Sequence, residues 1–272
     1  MNRSLIAVAA CAALSTTLAG AAAAQDVCKG FGPQTPRDIT QKAGANASAF
    51  PLASAATAMN LCNLHFHVQA EHRGPGFLMA VKKAEHAAGD HGHGDGGGYR
   101  CNETPKLTKA QLEATAGGAC KGLKPGDTIE VHWVYSSCDV APGKGLGSCL
   151  SPQCGNPSLR VESQVFLVVN DKSALDFTRF DYAGPPRNGV HQAKSLPTKT
   201  GTPVVFRGST TGPDYTDQKC SSLQVTWSVR PSCAMVDISS LQKWCESNVF
   251  KEDHGHGVRQ LVTAPALLDR IK

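Results

Sequence analysis

Asn63-Leu-His-Phe-His-Val68 is the stretch on which the reading of this chain turns. It holds apolar residues at alternate positions and carries no glycine or proline, so it reads as a β-strand. Alternate residues of a strand face the same way. Asn63, His65 and His67 therefore share one face. A second stretch, Thr128-Ile-Glu-Val-His-Trp133, puts Glu130 and His132 on one face by the same rule, with Val134 next in line. If the two strands pair, three imidazoles meet. Three neutral nitrogen ligands with a fourth position open form the arrangement of a catalytic zinc site. Asn63 and Glu130 each stand two residues before a histidine. A polar group there can accept the second ring N–H of a ligand and set its tautomer.

Composition sets the compartment. Residues 1–24 read as a secretory leader: Arg3 provides the charged end, an apolar run follows, and Ala22-Ala23-Ala24 offers a cleavage site. Removing that leader removes Cys11, one of eleven cysteines. Ten remain, an even number that suggests up to five disulfides in an exported protein, periplasmic or secreted. No C-x-x-C pair favours thiolate metal ligation. The formal charge of +5 falls to +4 when Arg3 is lost, with the basic residues dispersed, which argues against nucleic acid as a partner. No stretch after the leader reaches the roughly 20 apolar residues of a membrane span.

Along residues 25–272 strands are expected at 61–68, 77–82, 128–136, 161–169, 204–206 and 223–229. Short helices are expected at 107–116, capped by Thr108, and at 237–249. Residues 25–60 read as an irregular lead-in, 84–98 as a loop, and 138–157 as a Cys-, Gly- and Pro-rich loop held by disulfides. Many strands, long loops and few helices imply a mainly β, α+β single domain over 25–272. The sequence Asp-His-Gly-His-Gly occurs at 90–94 and again at 253–257. Flexible surface loops suit that composition; an auxiliary metal site or a proton relay is the other use.

Four stretches in order resemble the carbonic anhydrases, of the alpha type and especially its delta-class relatives. They are Gln34-Thr-Pro-Arg-Asp-Ile39, Asn63-Leu-His-Phe-His67, Glu130-Val-His132, and Gly208-Ser-Thr-Thr-Gly-Pro213 followed by Val225-Thr-Trp227. The likeness runs over about residues 28–230. It implies a large, mostly antiparallel twisted sheet with long disulfide-stapled loops. It implies one zinc ion on His65, His67 and His132, with Asn63 and Glu130 as their partners. The implied activity is a lyase's: reversible hydration of carbon dioxide to bicarbonate and a proton, by attack of zinc-held hydroxide. Glu71 would accept a hydrogen bond from Thr210, with Thr211 adjacent, and so orient the nucleophile. Val134 and Trp227 would line the carbon dioxide pocket, sulfonamides would inhibit, and Cys28 would pair with Cys220. The proton would leave through His191 or a histidine of the Gly-rich loops. The chain departs from the family pattern in the long gap between His67 and His132 and in a residue missing after Gly208-Ser.

Two other readings follow from the same residues. His65-x-His67-x3-Glu71 fits a cupin motif, in which Glu71 is a ligand and the metal can be iron or manganese. A periplasmic metal-binding protein without hydratase activity would instead use the two His-Gly-His-Gly segments.

Overall fold

The computed structural model describes residues 28, 30–48, 50–81, 97–115, 117–210 and 219–272. Residues 1–24, Asp90–Gly94 and Thr211 lie outside the described residues. In chain order the strands are β1 (Asn60–Val68), β2 (Met79–Ala80), β3 (Tyr99–Arg100), β4 (Thr128–Ser136), β5 (Leu159–Val169), β6 (Val204–Ser209), β7 (Gln224–Val229) and β8 (Ala234–Asp237). The described helices of α type are α1 (Lys109–Leu112) and α2 (Ile238–Glu246).

The β-branched and aromatic residues of β4 suit a pleated surface, and all nine positions of the strand are buried. That makes β4 an interior strand covered on both faces. It lies between β1 and β5, antiparallel to each. The main sheet runs β1-β4-β5-β7-β6. The first half of β5 pairs with β7 and its second half with β8, both parallel. β6 closes on β7 antiparallel. The sheet is thus mostly antiparallel and carries the fold.

Each face of the sheet has its own core. Leu64, Phe66, Ile129, Val131, Trp133 and Tyr135 point to one side, where Trp244 and Leu241 of α2 cover them. Apolar residues of α2 recur at Ile238, Leu241 and Trp244–Cys245, one stripe of a 3.6-residue period. Val134, Val161, Val165, Phe206 and Trp227 build the opposite core. Truncating a buried tryptophan such as Trp133 costs typically about 3–5 kcal/mol.

Two expected elements are shorter than the sequence implies. Thr108 caps α1 and forms a reciprocal pair with Gln111, but the helix ends at Leu112 because Glu113 turns to extended backbone (φ −62°, ψ 130°). The strand expected over 77–82 is reduced to Met79–Ala80, whose residues are exposed and lack a core to bury.

All ten described cysteines are paired: Cys28–Cys220, Cys62–Cys149, Cys101–Cys233, Cys120–Cys245 and Cys138–Cys154. Disulfides of this number form in oxidising compartments. No helix among the described residues is long and apolar enough to cross a membrane. The disulfides are consistent with an exported protein.

Candidate metal centre

Register brings the histidines together. His65 stands opposite His132 across β1 and β4, and His67 stands opposite Glu130. One nitrogen from each of His65, His67 and His132 lies within 4.8 Å of the others. His65 Nε2 and His132 Nδ1 are 3.3 Å apart.

The outer nitrogen of every ring is held. Asn63 Oδ1 accepts from His65 Nδ1 at 2.6 Å. The backbone oxygen of Gly257 accepts from His67 Nδ1 at 2.7 Å. Glu130 Oε1 accepts from His132 Nε2 at 3.1 Å. An acceptor at the outer nitrogen places the ring proton there and leaves the inner nitrogen with a lone pair. Two lone pairs then face each other at the 3.3 Å contact, which is repulsive without a cation between them. The inner nitrogen of His67, Nε2, is buried with no hydrogen-bond partner. An orphaned buried nitrogen beside two converging lone pairs fits a metal ion with tetrahedral nitrogen preference.

Charge follows the same logic. Burial, then neighbouring His132 and His67, holds the His65 pKa well below the ordinary imidazole value. Burial and His256 bring His67 down to about 4. Burial also lowers His132, against the pull of Glu130. The three rings are therefore neutral at pH 7, the state a metal requires.

Glu130 is the hub beneath them and is fully buried. Its oxygens accept from the backbone N–H of Glu71 (2.7 Å) and of His72 (3.1 Å), from His72 Nδ1 (2.8 Å) and from Ser163 Oγ (2.6 Å), besides His132. Burial opposes its ionisation, but His72 and the hydrogen bonds from His132 and His72 outweigh it, so its pKa lies well below the carboxylate range. Glu71 is pushed upward by burial. Its oxygens lie 3.6 Å from His67 Nδ1 and 4.0 Å from His132 Nε2, the outer nitrogens.

An apolar row runs beside the histidines. Val134, Val161 and Trp227 are register partners across β4, β5 and β7, and Phe206 follows on β6. Val134 and Trp227 are each 2% exposed, and the Trp227 ring lies 5.0 Å from that of His132. Trp227 Nε1 donates to the Ser209 carbonyl at 3.0 Å.

The Thr210 hydroxyl lies 3.3 Å from Ser221 Oγ, and its N–H donates to the Leu223 carbonyl. At the end of β6 the Thr35 hydroxyl donates to the Ser209 carbonyl at 2.5 Å. Thr211, the adjacent candidate for the partner of Glu71, lies outside the described residues. One expectation needs correction: the segment 253–257 is no free surface loop. It runs along the outer edge of β1, with His256 N donating to the Phe66 carbonyl and Val68 N to the His256 carbonyl, both at 2.8 Å. Gly255 is required by that approach, since a Cβ there would collide with Val68 and Phe66.

Sequence reasoning missed the Gly257 carbonyl, Ser163 and the pairing of His72 with Glu130. It also missed the place of His256, whose ring lies 5.4 Å from His65 and 5.7 Å from His67. The repeated Asp-His-Gly-His-Gly was the available signal for His256. His191, the other histidine considered, has its Nδ1 bonded to the Tyr182 hydroxyl at 2.6 Å, and its one ring neighbour among the described residues is Tyr182.

A sheet that carries three convergent, uncharged imidazoles beside an apolar wall forms a three-histidine cluster that could hold a metal ion. The family model for delta carbonic anhydrase matches residues 56–240, and the chain belongs to that family of enzymes. No curated protein matches the chain. Solved structures similar to it include the following two. One is an alpha-carbonic anhydrase from Thermovibrio ammonificans in complex with the inhibitor sulfanilamide, at 14% identity over 91% of this chain and 90% of that one, TM-score 0.36. The other is a hyperthermostable carbonic anhydrase from an active hydrothermal vent chimney, at 13% identity over 91% of each chain, TM-score 0.36.

Proposed function

We propose that His65, His67 and His132 hold one zinc ion and that the chain catalyses the reversible hydration of carbon dioxide. The observation that carries this reading is the convergence of three neutral imidazoles whose outer nitrogens are all engaged. Bound by three neutral ligands, zinc acts as a Lewis acid that brings the pKa of a bound water to about 7, carbonic anhydrase itself being the reference case for that value.

The chain's own groups do the rest. Asn63, Gly257 and Glu130 keep the ligand rings in the tautomer that points a lone pair inward. Val134, Val161 and Trp227 offer an apolar wall to carbon dioxide, which carries no charge to pair. Hydration releases a proton. His256 is placed to carry it away: its ring neighbours His65 and His67, and its Nε2 lies 2.9 Å from Glu252 Oε2. Its ring is 5.5 Å from that of His254, whose Nδ1 lies 2.7 Å from the partly exposed Asp253 carboxylate. An imidazole takes a proton on one nitrogen and releases it from the other, so this line of side chains leads from the site to solvent.

The test is a stopped-flow carbon dioxide hydration assay on metal-analysed mature protein. Activity with one zinc per chain, suppressed by a sulfonamide, is expected. A protein that binds several metal ions per chain and does not hydrate carbon dioxide would instead be a metal-binding protein.

Glu71 serves orientation and is not a ligand, because it approaches the nitrogens that point away from the ion. Glu71→Gln is expected to keep zinc near one per chain while turnover falls about ten- to a hundredfold, as for lost partners of metal-site groups. Parallel loss of metal and activity would make Glu71 a ligand and favour the cupin reading. Total metal and rate on one sample decide between them.

A further inference from the structure

We propose that the 143–149 loop is a positioning element for His65, clamped to β1 by Cys62–Cys149 and acting through the Asn63 amide; the inference rests on the zinc reading above. It begins at an irregularity in β1. Leu61 pairs with Tyr135 and Asn63 with Val134, so Cys62 is an extra residue with no partner across the strand. Such a bulge re-aims the side chains that follow it. Here it puts Cys62 on the core side of Val134 and leaves Asn63, His65 and His67 in phase toward the site.

The loop takes up what the bulge leaves unpaired. The Cys62 carbonyl accepts from Gly143 N at 3.0 Å and from Ser148 Oγ at 2.7 Å. Ser148 Oγ also lies within reach of the carbonyls of Gly143 (3.2 Å) and Gly145 (2.7 Å). Cys62 and Cys149 are both fully buried, with Cα atoms 5.0 Å apart. The product of this cage is one carbonyl in one place: Gly143 O, 3.1 Å from Asn63 Nδ2.

That carbonyl decides which way the amide of Asn63 faces. A carbonyl oxygen can only accept, so the NH2 of Asn63 must face Gly143. Its Oδ1 is then turned to His65 Nδ1 at 2.6 Å. An acceptor there puts the His65 proton on Nδ1 and leaves Nε2 free for the metal. A rotated amide would offer its NH2 to Nδ1 and favour the wrong tautomer. The disulfide, the serine and the glycine carbonyl thus reach the metal through a single amide, 80 residues distant from Gly143 in sequence.

The test is a mutant cycle on zinc release, read by transfer to a chromogenic chelator, with the visible spectrum of cobalt-loaded protein as a second readout. Cys62→Ser/Cys149→Ser is expected to release zinc about ten- to a hundredfold faster than wild type, and Ser148→Ala several-fold faster, with altered cobalt bands in both. In an Asn63→Ala background neither change is expected to add anything, because the route through the amide is already cut. Effects that multiply in the Asn63→Ala background would mean general loosening of the fold and overturn the proposal. If the double cysteine variant does not fold, Ser148→Ala with Asn63→Ala completes the same cycle. A wild-type chain that holds no zinc would fail the zinc reading itself, whereas tight wild-type zinc with unchanged release in the variants would fail only the loop.

Discussion

Replacing His132 with alanine is expected to strip the chain of tightly bound zinc and to abolish carbon dioxide hydration with it. His132 supplies an inner nitrogen 3.3 Å from His65 Nε2. Without it two imidazoles remain, and a catalytic zinc needs three protein ligands to stay bound. Losing only a partner of a ligand costs about ten- to a hundredfold in affinity, so losing a ligand should cost more than about a hundredfold. The fold should survive, because Glu130 keeps its bonds from His72, Ser163 and two backbone N–H groups. Metal analysis after dialysis against a weak chelator, beside a circular dichroism spectrum, checks both halves. A folded variant that keeps one zinc and full turnover would sink the ligand assignment.

His256→Ala is expected to lower turnover about a hundredfold in weak buffer, the lower end of what general acid–base groups contribute. Zinc should remain, since the segment is held to β1 by backbone hydrogen bonds that alanine also makes. Adding imidazole to the assay should restore the rate, because a diffusing base can carry the proton that the side chain no longer carries. The loss should fall on kcat and leave kcat/KM nearly unchanged, as proton removal follows the attack on carbon dioxide. His254→Ala should show a smaller loss of the same kind. An unaltered kcat for His256→Ala at low buffer concentration would mean that the proton leaves by another route.

Strand alternation makes His65, His67 and His132 legible in the sequence, and the two-residue step makes Asn63 and Glu130 legible with them. Those relations are local, and a strand of period two preserves them wherever it is placed. The limits of the sequence show in particular residues. Thr210 carries a hydroxyl of the expected type, but that it stands 3.3 Å from Ser221 Oγ is not written in the local sequence. The second Asp-His-Gly-His-Gly has the composition of a loose loop because glycine is permissive, whereas its glycine is there so that the backbone can pack against Phe66 and Val68.

By itself the sequence determined a β-rich, cysteine-paired fold, two histidine-bearing strands and the chemistry of their side chains, because hydrophobic period, cysteine parity and residue type are all written locally. The tertiary structure alone decided which distant groups complete the site. His67 is held by a backbone carbonyl 190 residues away, and a carbonyl has no side-chain signature to read. Asn63 Nδ2 meets the Gly143 carbonyl beside a bulge and a disulfide, and His256 comes beside His65 and His67 because the segment around 253–257 covers the open edge of β1. Each of these depends on register, edge pairing and close approach, which are properties of the packed sheet and not of any one stretch of chain.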